Sequence, residues 1–137
     1  MRFLLDTDVL SEPLKPEPDP TLLERLNEHE GEVATSAISL HELLYGARRL
    51  AAGKRRRCLE TYALNVVART LPVLPYDEAS ATWHATERAR LERAGRPRPF
   101  ADGQVAAVAA VHELVVVTRN VRDFEPFRGV TVVDWSD

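Results

Sequence analysis

Short apolar runs alternate along the chain with segments whose apolar residues fall three and four apart, the pattern of strands alternating with helices. Phe3, Leu4 and Leu5 form a buried strand that stops at Asp6, after which Val9 and Leu10 resume a helical pattern. Prolines at 13, 16, 18 and 20 force an extended connection. Asp19 and Pro20 then supply an N-cap and first residue for a helix over residues 20–30, with Leu22, Leu23 and Leu26 as its apolar stripe. Residues 32–36 read as a second strand. Ser39 opens a helix to residue 52 whose buried side is Leu40, Leu43, Leu44, Ala47 and Leu50, and Gly53 ends it. Residues 54–70 read as one further helix, basic at its start and apolar through Leu59, Tyr62, Leu64, Val66 and Val67. Residues 72–75, bracketed by prolines, suit an edge strand. Asp77 caps a helix to residue 94 that Gly95 and Pro97 terminate; a helix over 101–112 follows, and residues 114–117 and 130–133 are the last two strands.

Parallel strands need crossover connections, so this alternation predicts a sheet covered on both faces. The expected fold is α/β, a three-layer α/β/α domain with a short parallel central sheet, forming a single domain over residues 1–137. A 45% hydrophobic and 28% charged composition is that of an ordinary globular protein. The one cysteine, Cys58, excludes an internal disulfide and a cysteine metal cage, which fits a reducing compartment. No run has the length of a membrane span, and Asp6 interrupts the amino terminus too early for a signal peptide, so the expected location is the cytoplasm. The net charge of −3 gives no global field favouring nucleic acid. Six of the ten residues 48–57 are basic, however, and Arg88, Arg90, Arg93, Arg96 and Arg98 make a second cluster. Local phosphate contacts stay open beside the plainer readings of a solvated helix face or a site for an acidic partner.

Four acids change the picture. Asp6 ends the first strand, Glu42 lies in the first helical turn after the second, Asp102 opens the Ala-rich helix, and Asp123 follows the strand at 114–117. All four can converge on the carboxyl edge of the sheet, where open α/β sheets bind ligands. Carboxylates within about 4–6 Å of each other repel unless one is protonated or a cation lies between them, and oxygen ligands of this kind suit Mg²⁺ or Mn²⁺. Each acid also has a local alternative. Ser39-Leu40-His41-Glu42 matches a capping box, Asp6 and Asp102 suit helix starts, and Asp123 suits a turn before Phe124 and Pro126.

Residues 4–11 (LLDTDVLS), 38–46 (ISLHELLYG), Asp102 before an Ala/Val helix, and 117–124 (VTRNVRDF) together resemble the PIN-domain ribonucleases, most of all the VapC-type toxins of bacterial toxin–antitoxin pairs and their FitB-like group. The resemblance covers essentially the whole chain. Where the family usually carries Asn, this chain has Asp8, which is therefore left outside the core site. The resemblance implies a metal-dependent endoribonuclease whose Asp6, Glu42, Asp102 and Asp123 hold one or two Mg²⁺ or Mn²⁺ ions, leaving 5′-phosphate and 3′-hydroxyl ends. Thr7, Thr118 and Asn120 would orient ligands or phosphate. It further implies a homodimer, a cognate VapB-type antitoxin whose tail enters the acidic groove, and operator DNA bound only through that antitoxin. Histidines 29, 41, 84 and 112 show no metal or acid–base spacing.

Two other readings compete. Asp6-Thr7-Asp8-Val9-Leu10 matches the first motif of haloacid dehalogenase-type phosphatases, but the lysine such chemistry needs downstream is missing, since Lys15 and Lys54 both precede Thr118. The other is a catalytically silent subunit that only binds an antitoxin; retention of all four acids weighs against it.

Overall fold

Every strand of the sheet is parallel, and the first strand in sequence lies at its centre. The structure is a computed structural model that describes residues 1–136; Asp137, the last residue of the expected unit, lies outside them. The strands β1 (Phe3–Leu5), β2 (Val33–Ser36), β3 (Val73–Leu74), β4 (Val115–Val117) and β5 (Val132–Val133) take the order β3-β2-β1-β4-β5. Leu5 aligns with Thr35 on one side and Val117 on the other. The chain builds outward from β1 through β2 to β3, then returns to β1's other flank with β4. The crevice beside the ends of β1 and β4 is thus the switch point at which such sheets bind ligands.

Side chains of β1 alternate between two cores. Leu4 joins Ala34, Leu91, Val105, Val108, Val116 and Phe124 beneath α6 (Glu78–Arg93) and α7 (Phe100–Val111). Phe3 and Leu5 join Val9, Leu10, Leu22, Val67 and Trp135 on the opposite face, under α1 (Thr7–Leu10), α2 (Pro20–Glu28) and the segment from α4 (Lys54–Thr61) to α5 (Ala68–Thr70). The expected three layers are present. The Trp135 ring meets Phe3 and His29 at 4.8 Å and its carbonyl accepts from Arg25 at 3.1 Å, which fastens the end of the chain to α2.

Several boundaries differ from those expected, each for a local reason. The long helix α3 (Ala37–Arg48) begins at Ala37 because Ser36, the last residue of β2, is itself the N-cap, its hydroxyl accepting from the Ser39 amide at 3.1 Å. Ser39 is therefore inside the helix, no Ser39–Glu42 capping box forms, and Glu42 sits in the second turn rather than the first. The proline segment is not wholly extended: Glu12–Leu14 makes one 3₁₀ turn, with Pro13 inside it. The single helix expected at 54–70 is interrupted by a π segment, Tyr62–Val67. Residues five apart bond in a π turn, bringing Tyr62, whose hydroxyl donates to the Leu10 carbonyl at 2.6 Å, onto the same side as buried Val67. The second and last strands are shorter than expected, at Val33–Ser36 and Val132–Val133.

Two helix ends share one hydrogen-bond pattern with unequal residues. At the end of α6, Gly95 has φ +72°, its amide donates to Glu92 and the Arg96 amide donates to Leu91 at 2.8 Å, a Schellman motif. At the end of α7, Glu113 takes the same left-handed place at φ +56°, donating to Ala110 while Leu114 donates to Ala109. A side chain there is strained. Glu113→Gly is expected to stabilise the fold by about 0.5–1 kcal/mol, the strain relieved less glycine's extra unfolded entropy. Conversely, a Cβ on Gly103 would lie 2.1 Å from Nε2 of His84, a buried ring fixed by Tyr76 at 2.9 Å and packed on Phe100. Gly103→Ala should cost about 1–3 kcal/mol, as overpacked cores do. Urea midpoints of the two variants check both signs.

Candidate functional site

The β1 register carries Asp6 one residue past Leu5 and Thr118 one residue past Val117, so the two stand side by side at the carboxyl edge. The Asp6 amide donates to the Val117 carbonyl at 3.0 Å, and the Asp6 carboxylate then caps α1 by accepting from the Thr7 amide at 2.9 Å. Its other oxygen accepts from the Thr118 hydroxyl at 3.0 Å. The capping role suggested by sequence is real, but it occupies only one of the two oxygens. From α3, Glu42 faces the same opening and its carboxylate accepts from the Thr7 hydroxyl at 2.8 Å.

Asp102 lies in the first turn of α7, half-buried, and Asp123 stands on the one-turn helix α8 (Val121–Phe124) beyond the β4 turn. Their electrostatics tie the four acids together. Burial, then the charges of Asp8 and Glu42, pushes the Asp6 carboxyl up to about 6, against the Thr7 N–H and Thr118 hydroxyl that favour its ionised form. Burial, then the charges of Asp123 and Glu42, pushes Asp102 likewise up to about 6, with Arg98 opposing. Glu42 thus acts on both halves of the site, and the four sequence-selected acids share one field.

Asp8 belongs to the architecture of this edge. Burial raises its pKa, while its Oδ2 accepts from the Arg119 amide at 3.1 Å and the Asn120 side-chain amide at 3.2 Å. Its Oδ1 is buried without a hydrogen-bond partner. Asn120 touches Asp8 rather than any of the four acids, and its amide donates to the Thr118 hydroxyl at 3.1 Å. The phosphatase alternative needs Asp8 free as an acid/base, whereas this geometry uses Oδ2 to hold a turn.

Sequence reasoning passed over three neighbours of the site. Arg98 reaches to 4.0 Å from Asp123. Glu12 is 1% exposed and pairs with Arg119, whose backbone meets Asp8. Nothing in a proline-rich segment marks one glutamate as buried. The arginine clusters are also less of a basic surface than they read. Arg90 forks onto buried Glu87 at 2.7 and 2.8 Å and caps the Pro126 carbonyl, Arg88 pairs with Glu92, and Arg48 and Arg56 share Glu60.

The donor set fits a hard divalent cation. It is all oxygen, and two of its members are held out of their ordinary ionisation range by burial and by one another, a cost that a cation between them removes. Among the described residues no three His, Cys, Asp or Glu side chains form a ready-made chelate. An open arrangement of this kind suits an ion that keeps several of its own waters, as Mg²⁺ does. No helix among the described residues is long and apolar enough to cross a membrane.

Comparison with known proteins gives the family. A family model described as the PIN domain matches residues 3–128. The chain is 34% identical over 136 residues to the tRNA(fMet)-specific endonuclease VapC of Shigella flexneri, covering 99% of each. It is 37% identical over 140 residues to Toxin FitB of Neisseria gonorrhoeae, covering 98% of this chain and 99% of that one. It superposes on a chain of DNA-bound VapBC from Salmonella typhimurium with a TM-score of 0.84 at 34% identity, over 98% of each. A match across nearly the full length, on the same fold, places the chain in the PIN-domain family, among the VapC and FitB toxins.

Proposed function

We propose that this protein is the metal-dependent endoribonuclease of a type II toxin–antitoxin pair. The observation that carries the reading is the group of mutually repelling carboxylates, Asp6, Glu42, Asp102 and Asp123, gathered at the switch point of the sheet. These four would hold Mg²⁺ or Mn²⁺. When bound, the ion lowers the pKa of the attacking water and offsets the charge that builds on the phosphate. The chain's own residues orient and space the ligands. Thr118 fixes one oxygen of Asp6 and leaves the carboxylate its outward face, while Thr7 sets the rotamer of Glu42. The reading assigns no nucleophile to the protein, consistent with histidines that are engaged elsewhere: His84 with Tyr76, His29 with Glu32 and His112 with its own helix.

RNA is the substrate class on this reading, and the Shigella relative's name makes transfer RNA the first one to try. A VapB-type antitoxin is the partner, operator DNA is reached through it, and the toxin works as a homodimer, as the resemblance implies. The DNA-bound VapBC structure from Salmonella supports the first two.

The purified chain, freed of antitoxin, should cut RNA only with Mg²⁺ or Mn²⁺ and leave 5′-phosphate ends. Asp6→Asn and Asp102→Asn should abolish cutting, and Thr118→Val should weaken metal binding about 10–100-fold. Fragment-end sequencing and Mn²⁺ binding followed by electron paramagnetic resonance read these outcomes; cutting by Asp102→Asn at the parent rate would remove it from the site.

Stability offers a second test, without activity. Asp6 and Asp102 have folded pKa values near 6 against an ordinary 3.8, so ionising them costs stability, a cost absent below the ordinary value and complete above about pH 6. For these two groups, lowering the pH of the metal-free protein from 7 to 5 is stabilising. Asp102→Asn at pH 7 should gain on the order of 1 kcal/mol, less than the full shift implies because solvent screens this half-buried group. Mg²⁺ at a hundredfold excess over its Kd should add about 2.7 kcal/mol to the parent at pH 7 and much less to Asp102→Asn. Thermal melts at the two pH values, with and without Mg²⁺, check all three.

A further inference from the structure

The turn that carries the Asp6-binding hydroxyl is held from behind by a buried charge. Thr118, Arg119 and Asn120 link β4 to α8, and each contacts the β1–α1 edge: the Thr118 hydroxyl donates to Asp6, the Arg119 amide to Asp8, and the Asn120 side chain to Asp8. The Arg119 guanidinium turns the other way. It pairs with Glu12, the first residue of the 3₁₀ turn after α1, and lies 3.8 Å from Asp19. Glu12 is the most deeply buried carboxylate side chain of this edge, and its second oxygen accepts from the Asp19 amide at 2.9 Å. Its other cation, Lys15 at 3.0 Å, is half-exposed.

A buried charge pair contributes little net stability over an apolar pair of the same shape, and its best-attested use is to fix one arrangement among several. The arrangement fixed here is the seating of residues 118–120 on the ends of β1 and α1. We propose that Glu12 is a positioning residue for the phosphodiester cleavage read above: through Arg119 it holds the 118–120 turn so that Thr118 stays on Asp6 and Asp123 keeps its place opposite Asp102. Glu12 touches no reacting group. Its influence passes through the Arg119 backbone to Asp8 and through Thr118 to Asp6. The inference rests on the ribonuclease reading for its consequence, but its geometric content stands apart from that reading.

The test therefore has two arms. In the first, amide hydrogen exchange of Arg119 and Asn120 is compared between the parent and Glu12→Gln, with Val116 in the core strand as reference. Protection at 119 and 120 should fall at least about tenfold with Val116 unchanged; equal protection overturns the proposal whatever the activity. In the second, Glu12→Gln should lower kcat for RNA about tenfold with little change in KM, and weaken Mn²⁺ binding by a similar factor. Leu91→Ala, a core deletion on α6 in the opposite core, provides the stability control and should lower the melting temperature without either effect. A loss in Glu12→Gln no larger than in Leu91→Ala means that Glu12 only stabilises the fold and overturns the proposal. Glu12→Asp, which keeps the charge, covers the case in which the Gln variant fails to fold; it should retain partial exchange protection at residue 119, and full parental behaviour of a folded Glu12→Asp in both arms counts against a geometric role. A parent that binds no Mn²⁺ and cuts no RNA defeats the ribonuclease reading alone, and the exchange arm still decides the positioning.

Discussion

Like charges that share a partly dehydrated space repel, and this structure is arranged around keeping such charges together. Two carboxylates roughly 5 Å apart at an effective dielectric of 20 cost about 3 kcal/mol, the size of the gain from fully burying one large apolar side chain. The chain meets that cost with a sheet whose central strand is buried on both faces, Leu4 into one core and Phe3 and Leu5 into the other. The three residues before Asp6 anchor it so firmly that it cannot move away from Asp8 and Glu42. The Thr7 amide and the Thr118 hydroxyl then stabilise the ionised form of Asp6 that burial opposes.

Topology decides which charges meet. Because β1 is flanked by β2 and β4 in parallel register, the segments following all three strands leave from one edge: Asp6 directly, Glu42 from α3 after β2, and Asp123 from α8 after β4. Asp102 arrives by another route, on a helix packed above the sheet, and its approach depends on Gly103. The close passage of α7 over His84 leaves no room for a Cβ at that position, so α7 comes down onto α6 at the turn that bears Asp102. A glycine inside a helix, ordinarily a weakness, here sets the height of an acid.

The fold was legible in the sequence where a single physical rule governed a segment. Apolar runs ended by Asp6 or bracketed by Pro72 and Pro75 gave strands, and Asp19-Pro20, Asp77 and Gly95 gave helix ends, because capping and backbone geometry act locally. The four acids are legible as a set because each follows a strand or opens a helix at the carboxyl edge. What was missed depended on partners distant in sequence. Ser36 outcompeted Ser39 as the N-cap because the strand ends there. The π segment exists because Tyr62 must reach Leu10, 52 residues away. The burial of Glu12 depends on Arg119, and the apparent cluster of five arginines dissolved once Glu87 and Glu92 were seen to take two of them. Periodicity carries no information about such pairs.

The electrostatic consequence reaches to substrate. A chain of net charge −3 that concentrates acids at its binding edge repels a polyanion, and several of its arginines are already engaged internally by Glu60, Glu87 and Glu92. On the ribonuclease reading, each divalent ion contributes two positive charges at the point of deepest repulsion, turning −3 into −1 for one ion. The local field would change far more than the total, because Asp6, Glu42, Asp102 and Asp123 would hold the ion among themselves. Arg98 lies 4.0 Å from Asp123 on that rim, and exposed Arg55 of α4 lines a groove that Thr7 and Glu42 also line. On that reading, the carboxylate repulsion that makes the metal-free site costly couples metal occupancy to phosphate approach: RNA would be repelled from the bare edge and drawn to the occupied one.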